Sequence, residues 1–424
     1  TFPQKAYAYG SYYGWITIDK TNGPGRNHVY TTAAYGDARS TDGGLSFVPG
    51  VGVYPGSLGT LAVGPDGTLY GGSCEREGCR VAWSTSARDA SRVPTQDGIR
   101  NVGFPGRTAE HGPSGGLLGR AWVAVDHSTG DARGYVYLFS TITVPWDDAT
   151  DVYFARSRDG GRTWSVPMRV NDEPIGNGAY QWFGAMSVAP GGRIDAVWND
   201  TRNSADIHLS ELHYAYSMDA GYTWSPSVAV SGVFNSTLSM PDHQSRMGDY
   251  STIVSEDRCA NVAYAATFNG EQDVYFLRIE RDCNHNGHSD YDDVVGRVSL
   301  DCDGDFAPDE CEGDWDGDGL IDGCDPDIDA DGVPNREDRC ERNPLGLRIR
   351  PDGMPFADTN ESCEIDLADY WRFRNCMLNG APGNPAPREA CLNAFDFNDD
   401  ARIDLADFAT FQRVYLSIRA SASP

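Results

Sequence analysis

The sequence has no long apolar run and no surplus of positive charge. Nothing in its 424 residues approaches the roughly 18 uninterrupted apolar residues of a membrane span, and no secretory apolar segment is visible. It opens on Thr1 rather than Met, so a removed leader or a partial chain is expected. Lysine and arginine together number 34 against 62 aspartates and glutamates, a formal net charge of −28. Such a chain repels nucleic acid and anionic membrane surfaces, and suits a divalent cation such as calcium instead. Zinc is not expected, because no CxxC…CxxC pattern occurs, and no HExxH sequence offers a metalloprotease centre. His28, His111, His127, His208, His213 and His243 are scattered, with no spacing that marks a Ser/His/Asp triad.

Hydrophobic residues make up 40% of the chain, enough to bury the core of one large domain plus smaller ones. The eleven cysteines, some as closely spaced as Cys74 and Cys79 or Cys302 and Cys311, read as the disulfides of an exported protein. Their odd number leaves at least one thiol unpaired or bonded to another chain.

The most informative stretch runs from Ser157 to Trp164. Its Asp159 suits a tight turn by accepting backbone amides, Gly160 and Gly161 can take positive φ, Thr163 can bond locally, and Trp164 anchors the return to a sheet. The same spacing returns as Ser217, Asp219, Gly221, Thr223 and Trp224, and as Ser40, Asp42, Gly44, Ser46 and Phe47. Three copies of S-x-D-x-G-x-[TS]-[WF] resemble the Asp-box, or BNR repeat, of sialidase-like β-propellers. The resemblance implies a structural lock on the rim, remote from any catalytic centre, so it speaks to fold rather than function.

Around these boxes the chain repeats five times, each unit opening with a glycine and an apolar strand, at Gly14, Gly59, Gly119, Gly184 and Gly248. Second strands follow at Val29 to Ala33, Thr68 to Gly71, Tyr135 to Ser140, Arg193 to Trp198 and Asn261 to Ala266, and third strands show best at Val152 to Arg156 and His213 to Tyr216. The fifth unit ends in Asp273 to Ile279 without a box, and the second unit's box, near Ser84 to Ala90, is degenerate. The expected fold is mainly β: a propeller of five or six blades, a sixth being sought around Pro94 to Gly116, with Ala6 to Tyr13 a candidate closing strand.

Resemblance to sialidases implies an arginine triad for a substrate carboxylate, a Tyr nucleophile with its Glu partner, and an Asp acid. The family's R-I-P-like motif is missing near the start, and no Tyr-Glu pair can be matched, so no catalytic residue is assigned. The polar residues at the starts of innermost strands, Arg120, Asp249 and Tyr250 with Arg246 and Asp200, are the candidates for an axial pocket. Asn199, Asn235 and Asn360 open N-glycosylation tripeptides.

After Ile279 the composition turns to Asp, Asn, Gly and Cys. A calcium loop needs oxygen ligands at its positions 1, 3, 5, 9 and 12. Four sets meet that spacing in tandem: Asp282, Asn284, Asn286, Asp290 and Asp293; Asp301, Asp303, Asp305, Asp309 and Glu312; Asp314, Asp316, Asp318, Asp322 and Asp325; Asp327, Asp329, Asp331, Asn335 and Asp338. Gly287, Gly319 and Gly332 hold the sixth position, where the chain turns sharply, and Phe306 there is expected to weaken the second loop. The ladder resembles thrombospondin type 3 repeats, which implies that calcium itself forms the core of the segment.

Two further loops close the chain: Asp358, Asn360, Ser362, Asp366 and Asp369, then Asp396, Asn398, Asp400, Asp404 and Asp407. Each leads into the same amphipathic helix start, Ile365-Asp-Leu-Ala-Asp and Ile403-Asp-Leu-Ala-Asp. Cys363 and Ala401 stand at the sixth positions, and Cys376 and Cys391 bracket the linker as a candidate disulfide. A duplicated loop and helix resembles a dockerin, with its tandem EF-hand-like module, and implies a protein partner, either a cohesin-like domain or a neighbouring copy of the chain. Up to about six calcium ions are expected, one per loop.

The organisation expected is residues 1–281 as propeller, 282–345 as calcium repeats and 346–424 as the dockerin-like module. Extracellular or cell-surface placement follows. Three functions fit: an adhesion or assembly subunit with a non-catalytic head, able to join head to tail into a filament; a sialidase-like glycoside hydrolase delivered by its C-terminal modules; and a lectin-like propeller that binds glycans.

Overall fold

The computed structural model describes residues 14–33, 36–50, 53, 59–75, 77–108, 112–113, 120–144, 149–238, 247–248, 251–284, 286, 288–343, 347–378 and 388–421. The chain divides into two compact units, Thr1–Cys311 and Glu312–Pro424. The first is a five-bladed β-propeller.

Blade 1 is the sheet β1 (Gly14–Ile18), β2 (Val29–Ala33), β3 (Gly36–Ser40) and β4 (Val48–Pro49), and blade 2 is β5 (Gly59–Val63), β6 (Leu69–Glu75), β7 (Gly78–Ser84) and β8 (Gly98–Asn101). Blade 3 holds β9 (Arg107–Thr108), β10 (Trp122–Val125), β11 (Val136–Thr143), β12 (Asp151–Ser157) and β13 (Met168–Arg169). Blade 4 holds β14 (Gln181–Val188), β15 (Ile194–Asp200), β16 (Leu209–Ser217), β17 (Val228–Ala229) and β18 (Phe234–Asn235), and blade 5 is β19 (Thr252–Ser255), β20 (Cys259–Ala266) and β21 (Asp273–Glu280). Every blade is an antiparallel meander.

The stretch around Pro94 to Gly116 builds no sixth blade among the described residues. Its Gly98–Asn101 is the outer strand of blade 2, and Arg107–Thr108 pairs with β11 of blade 3. Ala6 to Tyr13 lies outside the described residues.

Inner strands of different blades meet through large side chains. Trp15 of β1 and Trp122 of β10 form an edge-to-face pair with centroids 4.8 Å apart. Thr60 of β5 pins the next inner strand, donating to the Ala121 carbonyl (3.2 Å) while accepting the Val123 amide (2.9 Å). The inner strand β14 carries a bulge between Trp182 and Ala185, where Phe183 takes φ 54°. Gly184 is required beside it, since a Cβ there would stand 2.7 Å from the Phe139 ring. On the last blade Tyr275, Leu277 and Ile279 face inward, whereas Val274 and Phe276 are 79% and 71% exposed. On the first, Ile16 and Ile18 are exposed as well.

The boxes close the turns between third and fourth strands in one way. In blade 3, Ser157 Oγ accepts the Gly161 amide (2.8 Å) and donates to Asp159, whose carboxylate takes the Thr163 amide and hydroxyl, 2.8 Å each. In blade 4, Ser217 bonds Gly221 and Asp219, and Asp219 takes the amide and hydroxyl of Thr223. In blade 1, Ser40 bonds Gly44 and Asp42, and Asp42 takes those of Ser46. Gly161, Gly221 and Gly44 all have positive φ. In blade 2 the degenerate box becomes a short 3-10 turn, Ser86–Arg88, held by Asp97 on the Thr85 amide and hydroxyl.

Cysteine pairing follows the loops. Cys74 and Cys79 clip the β6–β7 hairpin, and Cys311 bonds Cys283. Cys340 bonds Cys363, and Cys376 bonds Cys391 as the sequence suggests. Cys302 and Cys324 are also disulfide-bonded, which leaves Cys259 as the free, buried thiol.

The first acidic loop packs with the propeller. Arg281 stacks on Tyr216, with its guanidinium carbon 4.6 Å from the ring centroid, and pairs with Asp290 at 2.8 Å; Asp290 begins the short helix α1 (Asp290–Val295). The second unit holds α2 (Leu367–Leu378), α3 (Arg388–Phe395) and α4 (Leu405–Ser421) around Phe373, Phe395 and Phe411. Among the described residues, no helix is long and apolar enough to cross a membrane.

Candidate functional site

The acidic loops fold around their own carboxylates. The first-position aspartate accepts backbone amides from the turn it opens: Asp301 from Gly304 and Asp305, Asp314 from Gly317 and Gly319, Asp327 from Gly332. The ninth position closes the loop on the second residue's amide, through Asp290 on Cys283, Asp309 on Cys302, Asp322 on Trp315 and Asn335 on Ile328. This winding brings carboxylate oxygens of Asp301, Asp303 and Asp305 within 4.8 Å of one another, as it does for Asp314, Asp316 and Asp318 and for Asp327, Asp329 and Asp331. In the first loop Asp282 accepts the Asn286 amide, and Asp293 reaches the side chains of Asn284 and Asn286. Cys283, Asp290 and Cys311 also converge, but both sulfurs are tied in a disulfide.

Sixth positions do not depend on glycine. Phe306, Cys363 and Ala401 adopt φ of 68°, 66° and 62°, beside 96° at Gly319 and 91° at Gly332. A first-position carboxylate holds the amide of each: Asp301 that of Phe306, Asp358 that of Cys363 and Asp396 that of Ala401. The weakening expected at Phe306 is therefore not visible as a change of turn.

These carboxylates are placed where water alone serves them poorly. Asp293, Asp329, Asp338, Asp358, Asp369 and Asp407 are all buried. Asp293 Oδ1, Asp327 Oδ1 and Asp338 Oδ2 have no hydrogen-bond partner among the described residues. Burial, reinforced by Asp331, pushes the Asp329 acid up to about 6, and burial with Asp331 and Asp329 pushes Asp338 up to about 7. Asp305 and Asp358 are raised for the same first reason. Packed like charges with orphaned oxygens fit a hard divalent cation, whose charge would offset both burial and repulsion.

In the C-terminal pair, Asp369 and Asp407 at the twelfth positions take the amides of Thr359 and Phe397, and also those of Asp366 and Asp404. At the loop mouths Ser362 donates to the Asn360 side chain and Asn398 to the Asp400 carboxylate. Beyond them α2 and α4 leave an apolar groove of about 240 Å³ between Leu367, Tyr370, Phe408 and Phe411. Leu367 and its repeat counterpart Leu405 are 57% and 72% exposed.

The axial candidates do not form a described cluster. Asp249, Tyr250 and Arg246 lie outside the described residues, and Arg120 is buried just ahead of β10. Asp200 is buried and engaged by Gln181, Trp198 and Arg202. It belongs to a network that sequence reasoning missed. Arg169 bonds Asp151 and Glu173, Asn171 bonds both acids, and Arg202 reaches Asp172, Asp200 and Glu173. Burial raises the Glu173 acid despite two guanidiniums. With its carboxylates so occupied, this cluster ties blade 3 to blade 4 at the end where β14 begins. Among the histidines, His127 meets the Val63 carbonyl and His208 the Pro113 carbonyl, while His213 stacks on Trp198. His28 packs on Tyr30, and His111 and His243 lie outside the described residues. Of the sequons, Asn199 is buried and Asn360 is exposed.

No protein family matches this sequence, and a search of curated proteins finds no match. Solved structures do resemble it. A Penicillium chrysogenum α-L-arabinanase complexed with arabinobiose shares 13% identity over 64% of this chain and 80% of its own, with a TM-score of 0.38. A GH93 α-L-arabinofuranosidase of Fusarium graminearum shares 11% over 62% and 79%, TM-score 0.37, and a Hadza microbial sialidase 15% over 59% and 52%, TM-score 0.33. Likeness at this level says nothing of what this chain binds or does.

Proposed function

We propose that this chain is an extracellular calcium-binding assembly protein, with a non-catalytic propeller head, a calcium-filled repeat segment and a docking module. In this reading residues 1–281 are the head, 282–345 the repeats and 346–424 a dockerin-like pair. The observation that carries it is the convergence of Asp301, Asp303 and Asp305, repeated at Asp314, Asp316 and Asp318 and at Asp327, Asp329 and Asp331. Each triplet would hold calcium together with its ninth and twelfth residues, and Asp358 and Asp396 with their partners would do so in the last two loops. Bound calcium supplies charge neutralisation and so contributes folding free energy directly.

The disulfides support an oxidising, extracellular setting. The exposed leucines and aromatic groove of the C-terminal pair suit a protein partner, either a cohesin-like domain or another copy of the chain. Against catalysis stands the occupation of Asp200 and Glu173 by guanidiniums.

The test is electron microscopy of the full chain in calcium and in excess EDTA, with calorimetric calcium titration alongside. Several bound ions per chain, and oligomers or filaments that EDTA disperses, are the expected result. Absence of calcium binding, or turnover of a sialoside or arabinoside by the intact protein, would overturn the proposal.

A further inference from the structure

Blades 2 and 3 enclose a cleft of about 450 Å³ whose lining includes Tyr70, Trp83, Arg133 and Arg162. Its size falls within the few hundred to about 1,000 Å³ typical of small-ligand sites. We propose that this rim cleft binds a carboxylate-bearing sugar, separately from both the axial face and the calcium loops.

The wall is rigid. Tyr70 on β6 and Trp83 on β7 are directly paired across the sheet, and each is only 6% exposed. The box of blade 3 stands against them: a Cβ on Gly161 would come within 3.5 Å of the Trp83 ring, and one on Gly160 within 3.2 Å of the Tyr70 hydroxyl. Burial pushes the pKa of that hydroxyl up to about 12.

The charge is the second part of the argument. Box hydrogen bonds use Ser157, Asp159, Gly161 and Thr163 but not the side chain between the last two, which is Arg162 here, Leu45 in blade 1 and Tyr222 in blade 4. The fold therefore does not demand a cation at this place. Arg162 donates to the Asp159 carbonyl, and Arg133 to the carbonyls of His127 and Ser128, contacts that orient each guanidinium without neutralising it. Neither arginine forms an ion pair among the described residues. Asp66, which also lines the cleft, and Asp159 keep their charge but are bonded to neutral donors, the Thr68 amide and hydroxyl and the donors of the box, rather than to either guanidinium. Two guanidiniums that line one cleft without a carboxylate bonded to them offer donors to an anion, since guanidinium recognises carboxylate in a two-pronged geometry. Tyr70, Trp83 and Val125 give the lining an apolar side, the kind of surface a pyranose ring packs on.

The experiment is calorimetry with the full chain in calcium. Its probes are glucuronic acid and N-acetylneuraminic acid methyl glycosides, a neutral methyl glucoside and inorganic phosphate. At least one carboxylated sugar should bind saturably while the neutral sugar does not, and which one binds separates a uronic from a sialic source. Arg162→Leu, which places the blade 1 residue in the same box position, should weaken binding about tenfold or more with thermal stability retained. Arg133→Ala should do likewise. Equal binding of neutral and acidic sugars, no binding at millimolar concentration, phosphate binding as well as the sugar does, or unchanged affinity in Arg162→Leu would overturn the proposal.

Discussion

Phe154 of blade 3 meets Trp224 of blade 4 edge to face, their ring centroids 5.3 Å apart. The box tryptophan of one blade is thereby a core residue of its neighbour, and the small residue three places before it sets how closely they approach. A Cβ on Gly221 would lie within 2.2 Å of the Phe154 ring, at a φ of 82° that L side chains rarely adopt. Gly221→Ala should therefore cost about 2–3 kcal/mol of stability and lower the melting temperature. Thermal denaturation followed by near-ultraviolet circular dichroism checks this, and an unchanged midpoint would contradict the packing.

Removing calcium should act mainly on the loops rather than on the strands. With EDTA, helical circular dichroism and protection of the C-terminal helices should fall, and both should return when calcium is restored. Hydrogen exchange read by mass spectrometry separates the two responses, since peptides from β11, β12, β15 and β16 should keep their protection. Asp338→Asn, which removes charge at a buried twelfth position, should raise the calcium concentration needed for recovery.

Acid stability should depend on Asp172. Burial alone would raise its acid, but hydrogen bonds from Ser227 and the charge of Arg202 hold it down to about 2. A carboxyl depressed on folding adds stability that is present above its unfolded pKa of about 4 and lost as pH falls through about 2. Denaturant midpoints measured from pH 5 to pH 2 should thus fall less steeply in Asp172→Asn than in the parent. Parallel curves would remove Asp172 from the account.

Thiol chemistry should find a single slow cysteine. Cys259 is buried and burial raises its thiol pKa, so Ellman's reagent should leave the folded chain unmodified. Unfolding without reductant should release one thiol per chain. More than one would show that a disulfide assigned above is open.

Much of the fold was legible because its signals are local. The box spacing at Ser157, Asp159, Gly161 and Trp164 fixes a turn within eight residues, and the glycines and apolar strands that repeat around it mark five units. The same holds for Cys376 and Cys391, separated by 15 residues. What escaped was non-local. Arg169 and Arg202 meet Asp151, Asp172, Glu173 and Asp200 through strand ends that only the blade geometry brings together. No periodicity announces such a cluster. At Phe306 the sequence did not reveal that the turn is kept, with the Asp301 carboxylate holding a non-glycine residue in the left-handed region. The cleft lined by Arg162 was likewise hidden, since a variable position within a repeat carries no signal until its neighbours are known.

The bond between Cys340 and Cys363 has a mechanical consequence. Tension applied at the C-terminal module reaches Cys340 through sulfur, bypassing the 23-residue span of main chain between the two cysteines. That span would otherwise pay out roughly 75 Å when drawn straight. Oxidised, the chain cannot lengthen at this point; reduced, it gains that slack.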